Sequence, residues 1–158
     1  MNRFALGLLL IIFVSMACSR KAVTRNPHVD TLVVYFSPAF IASSKVTILR
    51  FSDSSIIDLK LFSNDSARNI YAKSIKTENK QTDSLWRILN VYKFEKWDKP
   101  MLDGMTVYGK FKNGTSHEFS LWSGGRNNDK LINSIYALLG KSFNDKQIEN
   151  YLKQIKEY

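Results

Sequence analysis

The chain has 158 residues, a formal net charge of +9 and a single cysteine, which excludes an internal disulfide. With two histidines and one cysteine, it lacks the N and S ligands of a typical zinc site. An aromatic fraction of 13% predicts a packed hydrophobic core rather than a disordered chain.

The first 17 residues have the layout of a secretory signal peptide. Arg3 supplies a positive start, an uncharged apolar run "FALGLLLIIFV" follows, and Ser15, Met16 and Ala17 end the segment. The apolar run is shorter than the roughly 20 residues that a membrane-spanning helix needs. We therefore expect residues 1–17 to act as a signal peptide.

The next residue is Cys18, and the segment up to Ser19 resembles the N-terminus of bacterial lipoproteins. In that family a cysteine follows the cleavage site, its thiol receives a diacylglycerol, and the signal is cut in front of it. Ala17 fits the family's pattern, whereas Ser15 and Met16 stand where leucine and a small residue are usual. Ordinary cleavage after Ala17 stays open, although an unpaired thiol in an oxidising compartment favours acylation.

The resemblance implies a lipid anchor of acyl chains such as palmitate on Cys18, which holds the chain at a membrane. Ser19 replaces the aspartate of the family's inner-membrane retention signal, which implies the outer membrane facing the periplasm. That compartment argues against a nucleic-acid partner for this basic chain. Residues 18–29 are predicted to form a tether with Arg20, Lys21 and Arg25 near the headgroups. Residues 30–158 suit one domain.

The first half of this domain reads as strands. Apolar and β-branched residues predict strands over Thr31–Phe36, Lys45–Phe51 and Ile56–Phe62, and a further strand over Asn69–Ile75. Pairing Phe51 with Ile56 across the turn "SDSS" leaves a mixed outer face and one apolar face made of Val46, Ile48, Leu59 and Leu61.

A helix and a hairpin follow. Leu85, Trp86, Ile88 and Leu89 predict a helix that begins near Thr77 or Thr82 and ends before the segment "FEKWDKP". In "MTVYGKFKNGTSHEFSLW", Asn113-Gly114 marks a hairpin. A three-residue loop that pairs Phe111 with Thr115 and places Gly114 in a left-handed bulge gathers the apolar residues Met105, Val107, Phe111, Phe119 and Leu121 on one face.

Two helices end the chain. The first carries a stripe from Leu131 to Leu139, capped by Asn127 or Asn128 and ended by Gly140. The second opens with Asn144 and Gln147 as a capping box and buries Ile148, Tyr151, Leu152 and Ile155. Strands, helix, hairpin and two helices together predict an α+β domain: an antiparallel sheet with helices packed on one face, two of them C-terminal.

Catalytic motifs are missing from the sequence. It contains no G-x-S-x-G, no phosphate-binding loop and no H-E-x-x-H. His117 lies near the hairpin tip, where a structural role is expected, and Asp98 with Asp103 reads as solvated loop acids beside lysines. We therefore expect no enzyme activity, no catalytic residue, no metal and no cofactor.

The remaining candidate site is the segment "LWSGGRNND", which leads from a strand through two glycines into a helix. Backbone N–H groups and the helix dipole at such a start favour an anion. The candidate ligand-binding residues are Trp122, Gly124, Gly125, Arg126, Asn127 and Asn128. A plain turn capped by Asn127 or Asn128 is the alternative interpretation.

These features predict a lipid-anchored periplasmic or outer-membrane binding module without catalytic activity, which contacts an envelope protein or polymer, including an anionic one. The lipid anchor makes the membrane itself a partner. Two alternatives are an inhibitor or immunity protein against an envelope-acting enzyme, and a hydrolase that uses carboxylates such as Asp103 or Asp129.

Overall fold

The computed structural model describes residues 29–94, 104–123 and 129–157. It contains six strands in one antiparallel sheet: β1 (Asp30–Pro38), β2 (Ser43–Arg50), β3 (Ser54–Phe62), β4 (Asn69–Glu78), β5 (Met105–Asn113) and β6 (Thr115–Ser123). Their order across the sheet is β4-β3-β2-β1-β5-β6. The helices are α1 (Asn79–Val91), α2 (Lys130–Ser142) and α3 (Lys146–Ile155). The predicted α+β class with two C-terminal helices is confirmed.

The helices cover one face of the sheet and build a single core with it. Every second strand residue points inward, as the pleat requires. The core joins apolar residues of β1, β2, β3, β5 and β6 to the apolar stripes of all three helices. Among them are Leu32, Val34, Phe36, Ile48, Leu59, Met105, Phe119, Leu85, Ile135 and Ile148, each at most 1% exposed. The predicted inward stripes of α2 and α3 are confirmed.

The predicted faces of the two hairpins are correct, but both predicted registers are wrong by two residues. Arg50 rather than Phe51 begins the β2–β3 pairing, opposite Ser55, and Phe111 pairs with His117 rather than Thr115. A shift of two residues keeps every side chain on its face, so burial alone cannot detect it. Gly114 has φ of +71°, as the bulge prediction required.

The registers are set by contacts outside the turns. Gly109 pairs with Phe119, and a Cβ at Gly109 would lie 2.2 Å from the Phe119 ring, so the ring occupies the place of the missing side chain. In the other hairpin Ser55 is fully buried and donates to Asn79 Oδ1 at 2.7 Å. A buried hydroxyl needs such a partner, and this one lies at the start of α1.

The starts and ends of the helices also differ from the prediction. α1 begins at Asn79, whose amide donates to the carbonyl of Phe51 at 3.0 Å. The N-cap of α2 is Asp129 instead of Asn127 or Asn128, and that of α3 is Asp145 instead of Asn144. α2 continues past Gly140 to Ser142, because the Phe143 N–H still donates to the Leu139 carbonyl.

Within the residues described, no helix has the length and apolar character needed to cross a membrane.

Candidate binding face

The second face of the sheet carries none of the described helices and is a candidate binding surface. Its residues alternate with the core residues along each strand, so they point away from the helices. Lysines outnumber carboxylates at these outward positions, with Lys45, Lys60, Lys76, Lys110 and Lys112 against Asp58, Glu78 and Glu118. We call this surface the open face.

A line of tyrosines and lysines crosses the open face at right angles to the strands. Lys60 of β3 pairs with Lys45 of β2, Lys45 with Tyr35 of β1, and Tyr35 with Tyr108 of β5. These four side chains come from four neighbouring strands, which lie about 4.8 Å apart. We call Lys60, Lys45, Tyr35 and Tyr108 the tyrosine–lysine row.

The aromatic rings hold the ammonium groups in place. The rings of Tyr35 and Tyr108 lie 6.2 Å apart between centroids and are tilted by 35°. The Lys45 ammonium lies 5.2 Å from the centre of the Tyr35 ring, and the Lys110 ammonium lies 5.9 Å from that of Tyr108. Contacts of this kind are cation–π interactions. They favour these positions of the Lys45 and Lys110 ammonium groups.

The neighbouring residues on either side of the row differ in chemistry. A second row lies two residues away from the first, measured along each strand. Asp58 and Glu118 stand at its two ends, and Glu118 forms an ion pair of 2.6 Å with Lys110. That carboxylate holds the pKa of Lys110 above its ordinary value, with a further contribution from the Tyr108 hydroxyl. We call Asp58, Thr47, Val33, Lys110 and Glu118 the carboxylate row.

On the opposite side, Lys45, Tyr35 and Tyr108 are bordered by small hydroxyl side chains, whereas Phe62 lies two residues after Lys60 and pairs with Ser43. Ser43 lies two residues before Lys45, Ser37 lies two residues after Tyr35, and Thr106 lies two residues before Tyr108. Ser37 and Thr106 are paired directly and both are exposed. We call Ser43, Ser37 and Thr106 the hydroxyl row. These side chains donate and accept hydrogen bonds, and they carry no charge.

The β4 end of the tyrosine–lysine row opens into a shallow depression. Lys60 is paired there with Ala72, and the small side chains of Ala72 and Ser74 leave a volume of about 370 Å³ beside Lys60 and Asp58. The depression is continuous with the row, since Lys60 belongs to both.

The candidate loop of the sequence lies mostly outside the described residues. Five predicted site residues of the loop lie outside the described residues: Gly124, Gly125, Arg126, Asn127 and Asn128. The side chain of Trp122 is also outside them, and so is the predicted anchor residue Cys18. The backbone of residue 122 pairs with Thr106 in the sheet. Asp98 and Asp103 also lie outside the described residues.

The flanks of this loop show how the first turn of α2 is satisfied. Asp129 Oδ1 accepts the N–H groups of Leu131 and Ile132 at 2.8 and 3.1 Å, and its Oδ2 accepts the hydroxyl of Tyr92 at 2.6 Å. A carboxylate of the protein itself therefore occupies two of the N–H groups that the anion interpretation needed. These hydrogen bonds give Asp129 two structural roles, as the N-cap of α2 and as the acceptor of the Tyr92 hydroxyl.

A cleft lies beside this cap, between the end of α1 and the start of α2. Its volume is about 590 Å³, and it is lined by Ile88, Val91, Tyr92, Asp129 and nearby lysine and arginine stems. Val91 is 81% exposed in it. The described ranges 29–94 and 129–157 approach each other at this cleft, where Tyr92 is hydrogen-bonded to Asp129.

His117 has a structural environment, as expected. Its ring is stacked on Phe94 at 5.2 Å between centroids with an angle of 12°, and Nε2 lies 3.0 Å from the Thr115 hydroxyl oxygen. In the part of the chain that the structure describes, no three residues of the metal-ligating types are grouped to bind a metal ion.

Comparisons with known proteins give no match to a family model, a curated protein or a solved structure.

Sequence reasoning missed the open face as a site. The alternating pattern of the strands did predict a mixed outer face with Asp58 and Lys60. The row, however, depends on which strands are neighbours: Tyr35 lies beside Tyr108 only because β5 pairs with β1. The signal available in the sequence was a lysine at an outward position on each of several strands.

Proposed function

We propose that the protein is a lipid-anchored binding module of the cell envelope without catalytic activity. It is tethered through Cys18 to the periplasmic side of the outer membrane, and its open face binds an anionic partner. The observation that carries the proposal is the tyrosine–lysine row, which lies on a sheet face that the described helices leave uncovered.

The arrangement of charge supports binding rather than catalysis. Asp58 and Glu118, two carboxylates of the open face, lie at opposite ends of the carboxylate row and are therefore not placed to act as an acid–base pair. The face offers cations and hydroxyl groups spread over several strands, which suits an extended ligand. Electrostatic attraction of this kind raises the rate of encounter and favours partners of opposite charge.

The tether gives the domain a defined reach. Twelve residues from Cys18 to Val29 span at most about 40 Å when extended. The domain then meets partners that lie just beyond the headgroups, at a high local concentration.

The anchor is tested by labelling cells with a radioactive or clickable fatty acid. The wild-type chain is expected to take the label and to fractionate with the outer membrane, whereas Cys18→Ser takes none and enters the soluble periplasmic fraction. A wild-type chain that takes no label and is released as a soluble protein would disprove the anchor.

The binding face is tested with the anchor-free domain, residues 19–158, sedimented with purified envelope fragments. We expect Lys45→Gln/Lys60→Gln to reduce the bound fraction severalfold, and binding of the wild type to weaken as salt rises. The matched control is Lys141→Gln/Lys153→Gln, which removes the same charge from exposed positions on α2 and α3. Equal losses in both variants would show that net charge alone is responsible and would contradict the proposed face.

A further inference from the structure

We infer that the tyrosine–lysine row binds an acidic glycan, a linear sugar polymer that carries carboxylates. This inference rests on the proposed function, because it names the chemistry of the partner that the open face binds. The chain of the glycan would lie across the strands, along the line from Lys60 to Tyr108.

The first argument is the direct pairing of two like charges. Lys45 and Lys60 are opposite each other on β2 and β3, and like charges in that arrangement destabilise a sheet. Lys60 is exposed and has no ion-pair partner among the described residues. The Lys45 ammonium leans toward the Tyr35 ring of β1, and carboxylates of a ligand bound along the row would offset the charge of both lysines. Positions that break a local stability rule in this way are frequently functional.

The second argument is that the cationic site is a line rather than a plane. The tyrosine–lysine row contains no carboxylate, while the adjacent carboxylate row places Asp58 and Glu118 at its ends. A flat anionic membrane that covered the open face would press its headgroups against both carboxylates. A narrow polymer along the tyrosine–lysine row avoids Glu118 and meets Asp58 only at the Lys60 end, where both residues line the depression. The charge pattern therefore favours a linear polyanion over a membrane surface.

The third argument is the chemistry that borders this line. The hydroxyl row of Ser43, Ser37 and Thr106 runs parallel to the lysines on the side away from the carboxylates. Uncharged hydroxyl groups complement the hydroxyl groups of a sugar, and a polyanion without sugars would leave them unused. The phenol groups of Tyr35 and Tyr108 add two further polar positions on the line.

The fourth argument is the spacing along the line. Neighbouring strands lie about 4.8 Å apart, which is close to the length of one sugar unit in an extended glycan. Successive sugars thus meet successive strands, in the order Lys60, Lys45, Tyr35 and Tyr108. The depression beside Lys60 and Ala72 is also lined by Asp58, so it gives room for a bulky uncharged substituent at one end.

The test uses oligogalacturonate, a linear sugar chain with one carboxylate per unit, and titrates it into the anchor-free domain. The fully methyl-esterified oligomer has the same backbone without the charge, and oligoglutamate has carboxylates without sugars. We expect oligogalacturonate to bind most tightly. Lys45→Gln and Lys60→Gln should each weaken it about fivefold, and Lys141→Gln/Lys153→Gln should leave it unchanged.

A second pair of variants separates sugar recognition from charge. Ser37→Ala and Thr106→Val remove hydroxyl groups from exposed positions without changing charge. They should weaken oligogalacturonate by about fivefold for each hydrogen bond lost and leave oligoglutamate binding unaltered. Loss of both ligands to the same degree would overturn the sugar assignment.

Two results would overturn the inference as a whole. One is equal binding of the acid and its methyl ester. The other is binding to vesicles of phosphatidylglycerol and phosphatidylcholine that depends on the tyrosine–lysine row and exceeds oligogalacturonate binding, which would assign the open face to a membrane.

If envelope fragments still bind through Lys45 and Lys60 while oligogalacturonate does not, the acidic-glycan inference fails and the proposed binding module stands. If the fragments do not bind through these lysines, the proposed function fails.

Discussion

The contact between Gly109 and Phe119 makes one glycine essential to the hairpin. A Cβ at Gly109 would lie 2.2 Å from the Phe119 ring, which is fully buried. We expect Gly109→Ala to lower the free energy of unfolding by about 1–3 kcal/mol through overpacking. Urea unfolding followed by circular dichroism measures this change.

The matched control is Gly140→Ala in α2. A Cβ there would meet only the Leu152 Cδ1 atom at 3.6 Å, an ordinary contact, and alanine is a better helix former than glycine. We expect this variant to be unchanged or stabilised by up to about 1 kcal/mol. Destabilisation of both variants to the same degree would show that the Phe119 contact is not the cause.

Gly114 is required for a different physical reason. Its φ is +71°, and a Cβ there would meet no atom within 4 Å, so the cost of a side chain is backbone strain alone. We expect Gly114→Val to destabilise the domain by about 1–2 kcal/mol. Gly114→Asn should cost less, because asparagine tolerates the left-handed region. Equal stability of the valine variant and the wild type would contradict the turn geometry.

At the level of elements, the start of α2 depends on Asp129 rather than on the asparagines before it. Asp129 accepts two backbone N–H groups and the Tyr92 hydroxyl. Asp129→Ala should lower the free energy of unfolding by about 1–2 kcal/mol, whereas Asn128→Ala should leave it nearly unchanged. Thermal melts of the two variants measure these losses. A larger loss of stability in Asn128→Ala than in Asp129→Ala would support Asn128 as the cap and contradict the role of Asp129.

The start of α3 links the edge strand β4 to the helix layer. Asp145 Oδ1 accepts the Gln147 N–H at 2.9 Å, and its Oδ2 accepts the Tyr71 hydroxyl at 3.2 Å and lies 3.6 Å from Lys73 Nζ. These groups, the Gln147 N–H foremost, hold the pKa of Asp145 below its ordinary value of 3.8, although partial burial opposes them.

This shift makes the stability of the domain depend on pH. Because the folded pKa lies below the unfolded one, the charged carboxylate stabilises the fold at pH values above the unfolded pKa, and this contribution is lost as pH falls through the folded pKa. The wild type should therefore lose more stability than Asp145→Asn between about pH 5 and about pH 2. Asparagine still caps the helix, so both should fold. Parallel pH profiles would contradict the assigned role of Asp145.

The strands and helices were predictable from the sequence because local patterns determine them. The strand registers were not predictable in this way. Alternation placed Val46 and Leu59 on the correct face, and the helical period identified Ile148 and Leu152 as buried. The registers depend instead on distant partners: the Phe119 ring selects Gly109. Similarly, the caps Asp129 and Asp145 lie close to the predicted asparagines, where several polar residues compete at short range.

At the scale of the whole molecule, the asymmetry of the sheet determines where a partner can bind. Apolar inward residues bury one face under the three described helices, and the outward residues, most of them polar, form the other face. The sequence predicted this layering. It did not predict the tyrosine–lysine row, since Tyr35 and Tyr108 are far apart in the chain and meet only through the β1–β5 pairing.

The most direct test of the open face is photo-cross-linking in the intact cell envelope. A benzophenone amino acid is placed at Tyr35 on the open face, at Lys153 on the helix layer, or at Arg126 in the loop predicted from the sequence. We expect adducts of the lipidated protein from position 35, and none from position 153 or 126. Adducts from position 126 or 153, with none from position 35, would contradict the claim that the open face is the binding surface.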